Sequence, residues 1–217
     1  FNDDSNHPDM LISNNNVHHN GMGISAYSSP SIGNGGTLFS HNNVHNNSPK
    51  GAINDAYGCT FSYNTIKNNT YSDENGYYAA GGISGRPYHI EHNTIIGNIS
   101  TTDKKVGGMY LQTLNDINNN VLANNSGDYD LYIDNDFGGG TITNNIISGT
   151  TYFEQIILKS PITNNLFVGG LTGSIEFEHN NADFTKNSIL NSDYNDRLSI
   201  YSEEDYDFDQ AIDFFRQ

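Results

Sequence analysis

Three ionisable side chains fall at one offset in short alternating segments: Arg86 in Gly82-Ile-Ser-Gly-Arg86, Asp134 in Asp130-Leu-Tyr-Ile-Asp134 and Lys159 in Gln155-Ile-Ile-Leu-Lys159. They are the candidates for acid–base chemistry. Asp134 or Lys159 would move a proton, and Arg86 would neutralise an acidic group on a substrate. Around them Tyr110 and Tyr132 offer flat apolar faces with a polar tip. Gln112, Asp130, Glu176 and Glu178 offer directional hydrogen bonds to hydroxyls. That side-chain set suits a sugar. The other reading is a solvated sheet face carrying an ion-pair ladder, Asp134–Lys159–Glu178, at ~0–1 kcal/mol per pair.

Spacing limits the chemistry. Asp130 and Asp134 lie four residues apart on one strand, roughly 13 Å, whereas glycosidase carboxylates sit about 5–5.5 Å apart for retention and about 6.5–9.5 Å for inversion. Asp134 and Glu178, two coils apart in the architecture derived below, come near the upper inverting limit with Lys159 between them. Arg86 and Lys159 are three coils apart, about 14 Å, too far to act on one bond.

Metal chemistry has two candidate places. Asp134-Asn-Asp136-Phe-Gly138 has the form of half a calcium loop without the later glutamate. Asp130, Asp134 and Asp136, with Asp128, would hold a Ca²⁺ there; the alternative is a solvated acidic turn. His18 and His45 take equivalent positions in adjacent repeats, with His41 nearby. Stacked imidazoles bind transition metals. Lys67 follows in the same column, which fits an exposed polar row.

A repeat must position these groups. Ile12-Ser-Asn-Asn15-Asn-Val17 is followed by Phe39-Ser-His-Asn42-Asn-Val44, Phe61-Ser-Tyr-Asn64-Thr-Ile66 and Ile90-Glu-His-Asn93-Thr-Ile95. Further copies centre on Asn120, Asn145, Asn165 and Asn187, at separations of 20 to 29 residues, and a second asparagine often follows five positions later. Helical repeats are longer and avoid so much Asn and Gly. Short strands broken by Asn and Gly suit a solenoid whose coils stack about 4.8 Å apart. Asparagine tolerates the left-handed backbone of a tight bend, and stacked amides hydrogen-bond along the axis. The expected fold is therefore all-β: a right-handed parallel β-helix of about eight coils over residues 1–200, with a short capping helix in 201–217. Ser202-Glu-Glu-Asp205 starts that helix, and Phe208, Ala211, Ile212 and Phe215 form its apolar face.

A third strand should follow each Asn bend. Alternation places Ile24, Ile53, Ile83, Met109, Leu131, Ile156 and Ile175 inward. The outward columns then read Ser25, Asn54, Ser84, Tyr110, Tyr132, Ile157, Glu176 and Tyr27, Ala56, Arg86, Gln112, Asp134, Lys159, Glu178. Loops 69–78 and 99–106 would wall one side near Arg86 and Tyr110.

These repeats resemble the pectate-lyase-like superfamily of right-handed parallel β-helices over about residues 12–192. The resemblance implies a carbohydrate groove on the third-strand sheet and, for an enzyme, a polysaccharide lyase or glycoside hydrolase. The superfamily's Arg-Pro-Arg pattern is met only by Arg86-Pro87. The paired-Asp and Gly-His-Gly signatures of polygalacturonases and the Asp-Pro-His of alginate epimerases are absent.

Composition excludes other classes. The net charge of −16, from 25 acidic and 9 basic residues, repels a phosphate backbone, so nucleic acid is not the partner. No apolar run is long enough to insert in a membrane. The lone Cys59, two residues before Phe61, reads as a core residue. Phe1-Asn-Asp-Asp-Ser reads as mid-domain sequence, so further coils, another domain or a partner subunit are expected over the end before Ile12. The combined expectation is a secreted or cell-surface β-helix that binds, and in one form cleaves, a polysaccharide. The alternative is a non-catalytic adhesin or structural spacer.

Overall fold

The computed structural model describes residues 10–27, 36–73, 79–102, 105–113, 116–134, 140–158, 162–177, 188–189 and 198–202. Within them the chain forms a parallel β-solenoid of three long sheets with seven, eight and eight strands. The first sheet collects the strands before each central asparagine, from Leu11–Ser13 to Ile162–Thr163. The second collects those just after it, from Asn16–His18 to Ser188–Ile189. The third runs from Ile24–Tyr27 to Leu198–Ser202. A small fourth sheet pairs Thr70–Tyr71 with Ile99–Ser100 in the longer loops of two neighbouring coils. All named strand pairs are parallel, as expected when each coil returns to the same three faces.

The first two sheets each send one column into the core. The first contributes Ile12, Phe39, Phe61, Ile90, Ile117, Ile142 and Ile162 in register. The second contributes Val17, Val44, Ile66, Ile95, Leu122, Ile147 and Phe167. Beyond the first coil these side chains are sealed from solvent, and each contributes roughly 1.5–3 kcal/mol of burial. Phe39 and Phe61 stack at 5.0 Å. Cys59 is buried in the same cluster, as expected.

The bend uses two adjacent residues for two jobs that the sequence assigned to one. The left-handed residue is the one before the central asparagine: Asn14, His41, Tyr63, His92, Asn119, Asn144 and Asn164, all with φ between 56° and 59° except His92 at 55°. His41, Tyr63 and His92 stack on one another outside. The central asparagine itself is buried and builds the ladder. The Asn42 main-chain N–H and side-chain amide both donate to Asn64 Oδ1 at 2.9 and 3.0 Å. Asn64 repeats this toward Asn93, Asn93 toward Asn120, Asn120 toward Asn145 and Asn145 toward Asn165. A second ladder runs through Asn20, Asn47, Asn69, Asn98 and Asn125.

The third sheet departs from the expected register at two places. Asp55 adopts φ 54° as an extra residue, so Tyr57 rather than Ala56 pairs with Arg86. Such a bulge shifts every later side chain by one place. Further along, the short coil around Asn145 has no long connection between its second and third strands. Its third strand therefore starts at Thr151, and Leu131 pairs with Thr151 instead of Ile156. Tyr132 consequently lies beside Tyr152, and Ile133 beside Phe153. Ile156 and Ile175 do pair, one coil further on.

The last strand, Leu198–Ser202, crosses the expected boundary at residue 200. The expected capping helix lies outside the described residues. Among those described, no helix is long and apolar enough to cross a membrane.

Candidate functional site

The outer side of the third sheet carries two rows. The inner of these begins Ser84, Tyr110, Tyr132, Tyr152, Thr172. Its neighbours Met109, Leu111, Leu131 and Ile133 point to the main core, so alternation turns the tyrosines outward. Outward does not mean exposed. Tyr110 is 0 % and Tyr132 5 % exposed, in a separate cluster with Ala80 and Val106 and against Tyr129 and Tyr152. Of the wall expected beside Tyr110, residues 74–78 and 103–104 lie outside the described residues; Val106, with Ala80, packs against the ring. The rings stack face to face along the axis, 5.0 Å from Tyr110 to Tyr132 and 4.8 Å from Tyr132 to Tyr152. Their flat faces are covered by each other, which corrects the expectation of an open aromatic platform.

The second row is Tyr57, Arg86, Gln112, Asp134, Glu154. Arg86 pairs with Tyr57, and the Gln112 and Asp134 main-chain N–H groups donate to Gly85 and Leu111. Glu154 follows Phe153, the partner of Ile133, and so continues the row beside Asp134. The exposed Arg86 donates from Nε to Gln112 Oε1 at 2.8 Å. Tyr110 donates its hydroxyl to Asp134 Oδ2 at 2.6 Å, and Tyr132 donates to Glu154 Oε2. Each tyrosine thus reaches the carboxylate one coil further along. Burial first, then the bonded carboxylate, pushes both phenols well above their ordinary range. They stay protonated donors.

Asp134 and Glu154 are one coil apart, a backbone step of about 4.8 Å along the axis. Arg86 stands two coils from Asp134 with Gln112 between. The row can therefore present a cation, an amide and two carboxylates at regular steps. Sequence reasoning missed Glu154 and Tyr152. Met109-Tyr-Leu-Gln112, Leu131-Tyr-Ile-Asp134 and Thr151-Tyr-Phe-Glu154 share one pattern that would have found them.

The remaining expected site residues separate. Lys159, Glu178 and Asp136 lie outside the described residues. Glu176 pairs through its backbone with Ile157, as expected, but Tyr132 leads to Tyr152 and not to that pair. Asp130 is not on the accessible face: it is 1 % exposed. Its Oδ2 accepts the Gly149 N–H at 2.7 Å and the Ser148 hydroxyl at 3.3 Å, and Asn125 also bonds it. It gathers these donors at the end of the second asparagine ladder. Asp130 lies within strand Tyr129–Ile133 and Asp134 directly follows its other end, so the two do not converge. Among the described residues, no three His, Cys, Asp or Glu side chains gather around a metal position.

Burial raises the Asp130 pKa despite those hydrogen bonds. The folded state then holds the proton more tightly than the unfolded chain does. Stability from this group is greatest at low pH and falls as pH rises from about 3.8, the ordinary value, through the raised one. Asp130→Asn should remove that slope. Urea midpoints of the two proteins from pH 4 to 7 should diverge, with the wild type losing ground as pH rises. A pH-independent difference would count against a raised folded-state value.

The chain matches no family model, no curated protein and no solved structure.

Proposed function

We propose that this chain is a secreted or cell-surface β-solenoid that engages a polysaccharide along the row Arg86–Gln112–Asp134–Glu154. The observation that carries this reading is the row itself: a cation, an amide and two carboxylates at one-coil steps, with both carboxylates held by buried tyrosines. A step of about 4.8 Å is comparable to a sugar unit, so successive coils can address successive hydroxyl groups. The resemblance of the repeats to pectate-lyase-like proteins, whose corresponding sheet carries the carbohydrate groove, supports the same face. A net charge of −16 disfavours polyuronates and favours neutral or amino-sugar chains. If the glycan is cleaved, Asp134 and Glu154, on neighbouring coils of the row, are the acid and nucleophile to test.

The test is affinity electrophoresis and calorimetry against a panel of neutral, amino-sugar and uronate polysaccharides, with reducing-end and unsaturated-uronate assays on each. Binding should appear with a neutral or amino-sugar glycan. Asp134→Asn combined with Arg86→Ala should weaken it at least tenfold with an unchanged unfolding midpoint. Reducing ends lost in Glu154→Gln would add hydrolysis. No binding to any glycan would refute the reading and leave the asparagine-laddered coils as a rigid spacer.

A further inference from the structure

The corner between the second and third sheets has a second run of left-handed residues. In successive coils it holds His19, Asn46, Asn68, Gly97 and Asn124, with φ from 53° to 65°. Asparagine and glycine tolerate this conformation, and histidine is among the other residues found there. His19 is the one histidine in this run, and it lies beside His18, the last residue of strand Asn16–His18.

The two rings are edge to face, with His18 Nδ1 and His19 Nδ1 2.8 Å apart and hydrogen-bonded. His45, one coil on, stacks on His18 at 4.9 Å and is steadied by an Nε2 contact of 2.9 Å to Asn16 Oδ1. Imidazole–metal bonds of about 2.0 Å to nitrogens 2.8 Å apart enclose an angle of about 90°. A tetrahedral ion would need the nitrogens about 3.3 Å apart at the same bond length. A right angle fits square-planar, tetragonal and octahedral ions and not tetrahedral ones, and among first-row divalent ions Cu²⁺ binds nitrogen most tightly.

We propose that His18 and His19 form a two-imidazole site for a tetragonal divalent cation, Cu²⁺ before Ni²⁺, with both Nδ1 atoms as ligands and water in the remaining positions. On binding, the ring that donates the Nδ1–H bond carries its proton on Nε2 instead, so both Nδ1 lone pairs turn to the metal. His45 is a positioning residue whose stacked ring fixes the plane of His18. The site lies on a corner removed from the Arg86–Glu154 row and does not depend on the glycan reading.

The experiment is titration of the full chain with Cu²⁺, Ni²⁺ and Zn²⁺ in a non-coordinating buffer. It is read by calorimetry and, for copper, by nitrogen hyperfine structure in the electron paramagnetic resonance spectrum. One equivalent of Cu²⁺ with two nitrogen ligands is expected, followed in affinity by Ni²⁺ and then Zn²⁺. His18→Ala and His19→Asn should each weaken copper at least tenfold, while His41→Asn, at the other corner, should not. His19→Asn places the residue of the later coils at that corner, so circular dichroism should be unchanged and folding is not in question. Binding that both variants leave within twofold, an adventitious ion only, would overturn the proposal. So would a preference for Zn²⁺ over Cu²⁺.

Discussion

Asn64→Ala should lower the unfolding free energy by on the order of 3–5 kcal/mol, a large share of what holds an ordinary domain folded. The Asn64 side chain closes the ladder in both directions. Its Oδ1 accepts the Asn42 main-chain N–H and side-chain amide at 2.9 and 3.0 Å. Its Nδ2 donates to Asn93 Oδ1 at 3.0 Å and to the Phe39 carbonyl at 2.9 Å. All of this is buried, so truncation strands two donors and a carbonyl where water does not reach. Asn64→Asp is the sharper variant. It keeps the shape but places a carboxylate oxygen against Asn93 Oδ1 and the Phe39 carbonyl, so its cost should at least match alanine at neutral pH and ease on acidification. Tyr63→Asn, one residue earlier, is the contrast. It relieves a left-handed tyrosine at φ 56° and gives up two exposed stacks, on His41 and His92, so its net effect should stay within about 1 kcal/mol. Urea midpoints of the three variants test this together. Equal costs at positions 63 and 64 would mean that the ladder is not what holds the coils in register.

That contrast also marks what the sequence could tell. The central asparagines and the apolar residues three before and two after them keep fixed offsets, because the first two sheets and the bend between them admit no insertion without breaking the ladder. Hence the inward columns through Phe61 and Ile66 were legible. The third sheet has no such ruler. The chain takes 14 residues from Asn69 to Ile83 but only six from Asn125 to Leu131, and the coil around Asn145 reaches Thr151 with almost no loop. An extrapolated register slips there, and it slips again by one at the Asp55 bulge. The middle of the outer row, Arg86–Gln112–Asp134, survives because it lies between the two slips. Glu154 was lost because it lies beyond the second. The burial of Tyr110 and Tyr132 was illegible for a different reason. Alternation assigns a side chain to the outer face of a sheet, but exposure there depends on what else packs against it, here Ala80, Val106 and the stacked tyrosines.

The row's dependence on the backbone beneath it leads to the second large effect. Gly85→Ala should cost on the order of 3 kcal/mol and weaken glycan binding as well. Gly85 pairs with Ala56 immediately after the Asp55 bulge and with Leu111 on its other side. Its φ is +126°, and an added Cβ would sit 2.3 Å from the Ala56 carbonyl oxygen and 2.7 Å from the Ala56 nitrogen. Both are main-chain atoms held in the sheet, so no side-chain rotation relieves the clash. The strand must move, and Arg86 moves with it, away from the 2.8 Å bond to Gln112. Arg86→Ala separates the two consequences: an exposed side chain leaves stability nearly unchanged, so it should reduce affinity alone. Gly21→Ala, where a Cβ meets nothing within 4 Å, should change neither. Unfolding midpoints and glycan affinities of the three proteins test both effects. Loss of stability in Gly85→Ala with full affinity would detach Arg86 from the site. Full stability would show that the bulge yields, and that the third sheet sets its register by something other than the close approach of Gly85 to Ala56.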